Sequence, residues 1–143
     1  MSDLDIARTR LFEEELTLSI VKNGKILFET NTHTISGFLR AIDKLGATLE
    51  DASVADRVVG KAIALLCVYA RINEVYAEVL SRNAKTVFEK NKISYKWKVI
   101  VENILDLNQC GICLFEKAAT GISNPEKAYA VFKELLESFK SSN

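Results

Sequence analysis

The sequence predicts an α/β domain of three layers, a mixed β-sheet flanked by helices. Three observations carry that expectation. The chain has 143 residues, of which 48% are apolar, enough for one domain with a core of its own. Asn23-Gly24 lies between two β-rich runs, and Asn-Gly is the strongest short signal for a hairpin because a type I′ turn needs positive φ at both positions. After that hairpin, apolar helical runs alternate with short strands, an order that builds a sheet covered by helices.

In chain order, residues 3–15 carry Leu4, Ala7, Leu11 and Phe12 at helical spacing among charges, which predicts a first helix. Residues 16–22 and 25–30 are the strands of the hairpin, and residues 37–45 are a short helix stopped by Gly46. Residues 54–71 form the most apolar stretch. Val54, Val58, Val59, Ala62, Ile63, Leu65, Leu66 and Tyr69 would cover most of a helix surface, predicting a helix buried on several sides. Residues 74–80 read as a strand, with Ser81 capping a helix to about Lys90. Residues 93–98 are another strand by propensity, and residues 99–106 fit strand or helix equally. Residues 114–119 begin a helix or turn, and Ser123 or Asn124 caps a last helix with Pro125 in its first turn. One proline and six glycines leave no linker, so a single domain over residues 1–143 is expected.

Charge and cysteine content narrow the function classes. Positive and negative residues balance at 19 each, without the net basic character of a nucleic-acid binder or of a protein attracted to anionic membranes. No apolar run is long enough to span a bilayer, and the charged N-terminus has no signal-peptide core. Three cysteines without a secretion signal read as reduced thiols, so a cytoplasmic location is expected.

Four stretches, LTLSIVKNGKIL, ASVADRVVGKAIALL, VYAEVLSRNAKTVFEK and GICLFEKA, resemble a family of small bacterial proteins known as a domain of unknown function, DUF1893. The resemblance runs over residues 16–119, and ADRVVGKAIALL is its most specific piece. It implies a cytidine-deaminase-like fold and no assigned activity. This chain departs from the family's last motif: Cys113-Leu114 stands where the family has proline after the cysteine. Asp106-Leu107 stands where an Asn-Arg pair is usual.

Zinc deamination uses His-or-Cys-x-Glu at one helix start and Pro-Cys-x-x-Cys at the next. The resemblance puts those positions near residues 53–57 and 80–84, where this chain has Ser, Asp and Asn but no Cys or His. The lone histidine, His33, lies near the hairpin exit. No metal or cofactor is therefore expected. Cys110-x-x-Cys113 is too small a set for structural zinc, with only Cys67 left over inside an apolar run; a redox role for the pair is the other reading. Gly60-Lys61 lacks the rest of a phosphate loop, and Gly60 reads more simply as close helix–sheet packing.

The candidate ligand-binding residues are Ser53, Asp56, Lys61, Ser81, Cys113 and Glu116. Ser53 and Asp56 have the spacing of a capping box, and Ser81 that of an N-cap, which are the simpler structural readings. Lys61 is a cation on a nearly all-apolar run, needing a carboxylate or a solvated cleft; Glu116 is the first-choice partner. On one continuous helix Asp56 and Lys61 would lie about 140° apart and could not pair along a face. Helix N-termini attract anions, and the resemblance sets two of them side by side at the former zinc position. Three functions are expected in turn: binding of a nucleotide-like or anionic small molecule; a homo-oligomeric interaction or scaffold domain; and a metal-independent enzyme using Lys61, Cys113 and Asp56 or Glu116.

Overall fold

The computed structural model describes residues 1–104 and 113–141. Helix α1 (Asp3–Glu13) opens with a capping box, in which the Ser2 hydroxyl accepts from the Asp5 amide at 3.1 Å and the Asp5 carboxylate accepts from the Ser2 amide at 3.3 Å. Strands β1 (Leu18–Lys22) and β2 (Lys25–Thr30) form the expected hairpin. Asn23 and Gly24 both have positive φ, 52° and 75°, and the Asp3 carboxylate accepts from both of their amides at 2.9 Å. Helix α2 (Thr34–Leu45) begins three residues earlier than its apolar spacing indicated, and a short 3-10 turn (Gly46–Leu49) follows it.

The largest correction falls on residues 54–71, which are not one helix. They are strand β3 (Ser53–Val59), the extended residue Gly60 and helix α3 (Lys61–Tyr69). A strand inside a parallel sheet is buried on both faces and reads as an unbroken apolar run, as a buried helix does. Strand β4 (Glu74–Ser81), helix α4 (Arg82–Lys90) and strand β5 (Ser94–Val101) follow. β5 runs three residues past its expected end and takes in part of the ambiguous stretch. Helices α5 (Leu114–Ala119) and α6 (Pro125–Ser141) complete the chain; the Asn124 side chain accepts from the Lys127 amide at 2.9 Å. Asp106, Leu107 and Cys110 lie outside the described residues.

The five-stranded sheet has the order β2-β1-β3-β4-β5. β1 is antiparallel to β2 and β3, whereas β3, β4 and β5 are parallel. One face is covered by α1, through Leu4, Ala7 and Leu11 against Val21, Ala55 and Tyr76. The other carries the main core, where Phe38 of α2, Leu66 of α3, Phe88 of α4 and Phe132 of α6 are all fully buried. The result is helix, mixed sheet, helices: three layers. Among the described residues no helix is long and apolar enough to cross a membrane.

Candidate functional site

The junction β3–Gly60–α3 organises the site. Helix α3 starts at Lys61 with Gly60 in the N-cap position and no side-chain cap of its own. The carboxylate of Glu116, from the first turn of α5, supplies that cap from 55 residues away in sequence. Its Oε1 accepts from the Lys61 amide at 2.8 Å and its Oε2 from the Ala62 amide at 2.7 Å. Only glycine at position 60 leaves room for this: a Cβ there would lie 2.3 Å from Oε1. The helix N-terminus therefore already holds an anion, its own Glu116. Burial raises the Glu116 carboxyl above its ordinary value; the two amides and the nearby Lys61 charge act the other way.

Lys61 and Glu116 do come together, through the backbone amide of Lys61. Both line a cavity of about 360 Å³ between α3, α4 and the segment joining α5 to α6. From α4 it receives Asn83, Thr86 and Lys90; Ser123 closes the far side. Among the described residues two carboxylates line it, and both are engaged: Glu116 by the α3 amides, and Glu102 by an ion pair with Arg82. Lys61 and Lys90 form no ion pair among the described residues.

Asp56 occupies a different place from the one its spacing indicated. It makes no capping box with Ser53; it lies within β3, fully buried. Its Oδ1 accepts from the Val58 amide at 3.1 Å and from the hydroxyl of Thr34, the first residue of α2, at 3.4 Å. Its Oδ2 has no hydrogen-bond partner among the described residues. Burial pushes the Asp56 carboxyl up to about 8, against the downward pull of the Val58, Thr34 and Arg57 contacts. The Cys67 thiol, buried within α3, is raised well above its ordinary value by burial and by the charge of Asp56. Such displacements mark groups kept neutral by their surroundings.

The remaining candidates divide. Ser81 is buried and caps α4, its hydroxyl accepting from the Ala84 amide at 3.1 Å. Cys113 is the half-buried N-cap residue of α5, one turn before Glu116. Ser53 stands apart. It begins β3 and donates to Glu74 at 3.1 Å, roughly 20 Å along the strand from Gly60. Sequence reasoning reached Asn83 only as the end of the helix start at residues 81–83, and missed Thr34 and Lys90. Only the true start of α3 would have pointed to them, and Gly60 was the cue. His33 is the N-cap residue of α2, its ring centroid 6.4 Å from that of Phe115. Among the described residues no group of three or more His, Cys, Asp or Glu side chains is placed to hold a metal ion.

The family profile of the domain of unknown function DUF1893 (TM1506) matches residues 6–136. The chain belongs to the DUF1893 family. A crystal structure of a DUF1893 family protein (TM1506) from Thermotoga maritima superposes with a TM-score of 0.84 at 21% identity, covering 94% of this chain and 90% of that one. At that identity the likeness shows that the DUF1893 fold is shared. A partial likeness to RibD of Acinetobacter baumannii (form 2) has a TM-score of 0.48 and 13% identity, over 67% of this chain and 35% of that one. No curated protein matches this DUF1893 chain.

Proposed function

We propose that this protein binds a small anionic metabolite, of nucleotide-like or smaller size, in the cavity between α3 and α4. The observation that carries the reading is the charge balance of the lining. Glu116 is held by the α3 amides and Glu102 is paired with Arg82, whereas Lys61 and Lys90 line the cavity without an ion pair among the described residues. Asn83, Thr86 and Ser123 add neutral donors and acceptors suited to the body of a polar ligand. Of the six residues singled out from sequence, Lys61 and Glu116 line the cavity, and Ser53, Asp56, Ser81 and Cys113 do not.

The cytidine-deaminase-like assignment belongs to the same proposal. It is supported by the mixed five-stranded sheet with helices between its parallel strands. With the true helix boundaries, α2 opens on His33-Thr34-Ile35 and α3 on Gly60-Lys61-Ala62. Neither has the residues of the zinc motifs beyond His33 itself, so the reading stays metal-independent.

A thermal-shift screen tests it, with inorganic phosphate, nucleoside monophosphates, sugar phosphates and small dicarboxylates. A ligand at about a hundred times its Kd adds about 2.7 kcal/mol of stability. The expected hit loses its shift when the anionic group is removed, and loses it again in Lys61→Ala and Lys90→Ala. A hit that keeps its shift in both variants refutes the site.

A further inference from the structure

The second feature lies at the sheet edge. Between Arg82 and Lys98 the chain carries six cations and one carboxylate, Glu89, although the whole chain is neutral. This segment is α4 and β5, and β5 is the last strand of the sheet, with no strand on its outer side among the described residues. Along β5 the side chains alternate. Tyr95, Trp97 and Val99 fall on the face toward α4, where Tyr95 stacks on Phe88; Lys96 and Lys98 fall on the other. Trp97 is 41% exposed and Val99 48%. The Lys85 ammonium lies 5.5 Å from the Trp97 ring centroid, and Tyr95 stacks beside it at 5.7 Å.

Edge lysines ordinarily blunt a strand against unwanted pairing. Here they stand beside an exposed tryptophan and valine, which blunt nothing. Two β5 edges brought together would set Lys96 and Lys98 of both copies close, and like charges opposed across strands are destabilising. The charge that disfavours a second copy favours an acidic strand. A nucleobase would find Tyr95 and Lys85 already against the Trp97 ring, whereas an added strand finds an edge that no strand among the described residues covers.

We infer that β5 is a docking edge for an acidic, extended polypeptide segment, which adds as a sixth strand, bonding through its backbone. Its acidic side chains would lie over Lys96 and Lys98, and its apolar ones over Trp97 and Val99. This goes beyond the metabolite site and does not depend on it.

The single tryptophan of the chain is Trp97, so tryptophan fluorescence, excited beyond the tyrosine absorption band, reports on this edge. The probe is a capped peptide of eight residues alternating glutamate and valine, matched in length to β5. A second peptide of like charge has proline at alternate positions, and oligothymidylate of like charge serves as a third ligand. The expected result is a saturable change with the first peptide, weakened about tenfold or more by the prolines and by Lys96→Glu/Lys98→Glu. Each single variant is tested as well, with circular dichroism melts to show that the fold persists. Equal binding of the proline peptide would show that charge alone acts, and would overturn the inference. So would tighter binding of oligothymidylate, or no saturable change with the first peptide up to about 1 mM.

Discussion

Gly60→Ala tests the cap on which the candidate site is built. Gly60 has φ −101° and ψ −173°, extended backbone that alanine adopts freely, so any cost comes from the added Cβ. That atom would lie 2.3 Å from Oε1 of Glu116, 2.4 Å from its Cδ and 2.8 Å from its Oε2. The carboxylate ends a flexible side chain and can move aside, but it then leaves the amides of Lys61 and Ala62. Hydrogen bonds to a charged group contribute about 1.5–3 kcal/mol each, and losing a helix cap costs about 1 kcal/mol. Rehydration of the carboxylate, and a gain of about 0.4–1 kcal/mol from replacing glycine in the unfolded chain, offset part of this. The expected net loss is about 1–2 kcal/mol, and Glu116→Ala should lose about 1–3 kcal/mol. The two changes remove the same interaction, and without Glu116 the new Cβ meets no carboxylate. The double variant should therefore be no less stable than Glu116→Ala, a coupling of about 1 kcal/mol or more. Urea unfolding of all four proteins measures it. Additive losses would show that Gly60 and Glu116 act separately, and the capping argument would fail.

Leu66 is fully buried under the sheet, so Leu66→Ala should cost about 2–5 kcal/mol in urea unfolding; a loss below about 0.5 kcal/mol would put α3 elsewhere. Gly24 has φ +75°, so Gly24→Val should cost about 1–2 kcal/mol, and an unchanged midpoint would refute the type I′ turn. Asp56, facing Thr34 and Cys67, has its carboxyl raised to about 8 from the ordinary 3.8. Its contribution is complete below the unfolded value and is lost as pH rises through the folded one. Asp56→Asn removes that dependence, so the wild type should lose stability relative to the variant between about pH 5 and about pH 8. Glu116 is shifted in the same direction but is common to both proteins and cancels. Parallel stability profiles for the two proteins would refute the neutral buried carboxyl.

The legible parts of the fold were those with local chemistry behind them. Asn23-Gly24 set the hairpin because few residues accept its dihedral angles, and Ser81 marked α4 because a hydroxyl caps its own helix. Strand β3 was illegible for a physical reason. Val54, Ala55 and Val59 are buried in the middle of the sheet, and a strand enclosed on both faces loses the alternation that would mark it. Taking it as helix moved the start of α3 by seven residues. Asp56 then became a cap rather than a buried acid, and Lys61 a mid-helix cation rather than a first residue. The association of Lys61 with Glu116 was reachable from charge alone. The actual contact, carboxylate to amide, required knowing where the helix begins.

Net charge was informative about the whole chain and silent about its parts. A total of zero averages a basic α4–β5 segment against an acidic remainder, and recognition acts on the local field, which salt screens within about 10 Å. Helix α4 then serves two surfaces. Lys90 faces the cavity, whereas Lys85 lies over Trp97, and five residues on a helix place them about 140° apart around its axis. The two surfaces can therefore be separated by substitution. Lys90→Ala should weaken metabolite binding and leave the Trp97 titration unchanged, and Lys96→Glu should do the reverse. If either variant altered both, α4 would couple the cavity to the sheet edge, and the two surfaces would be one site.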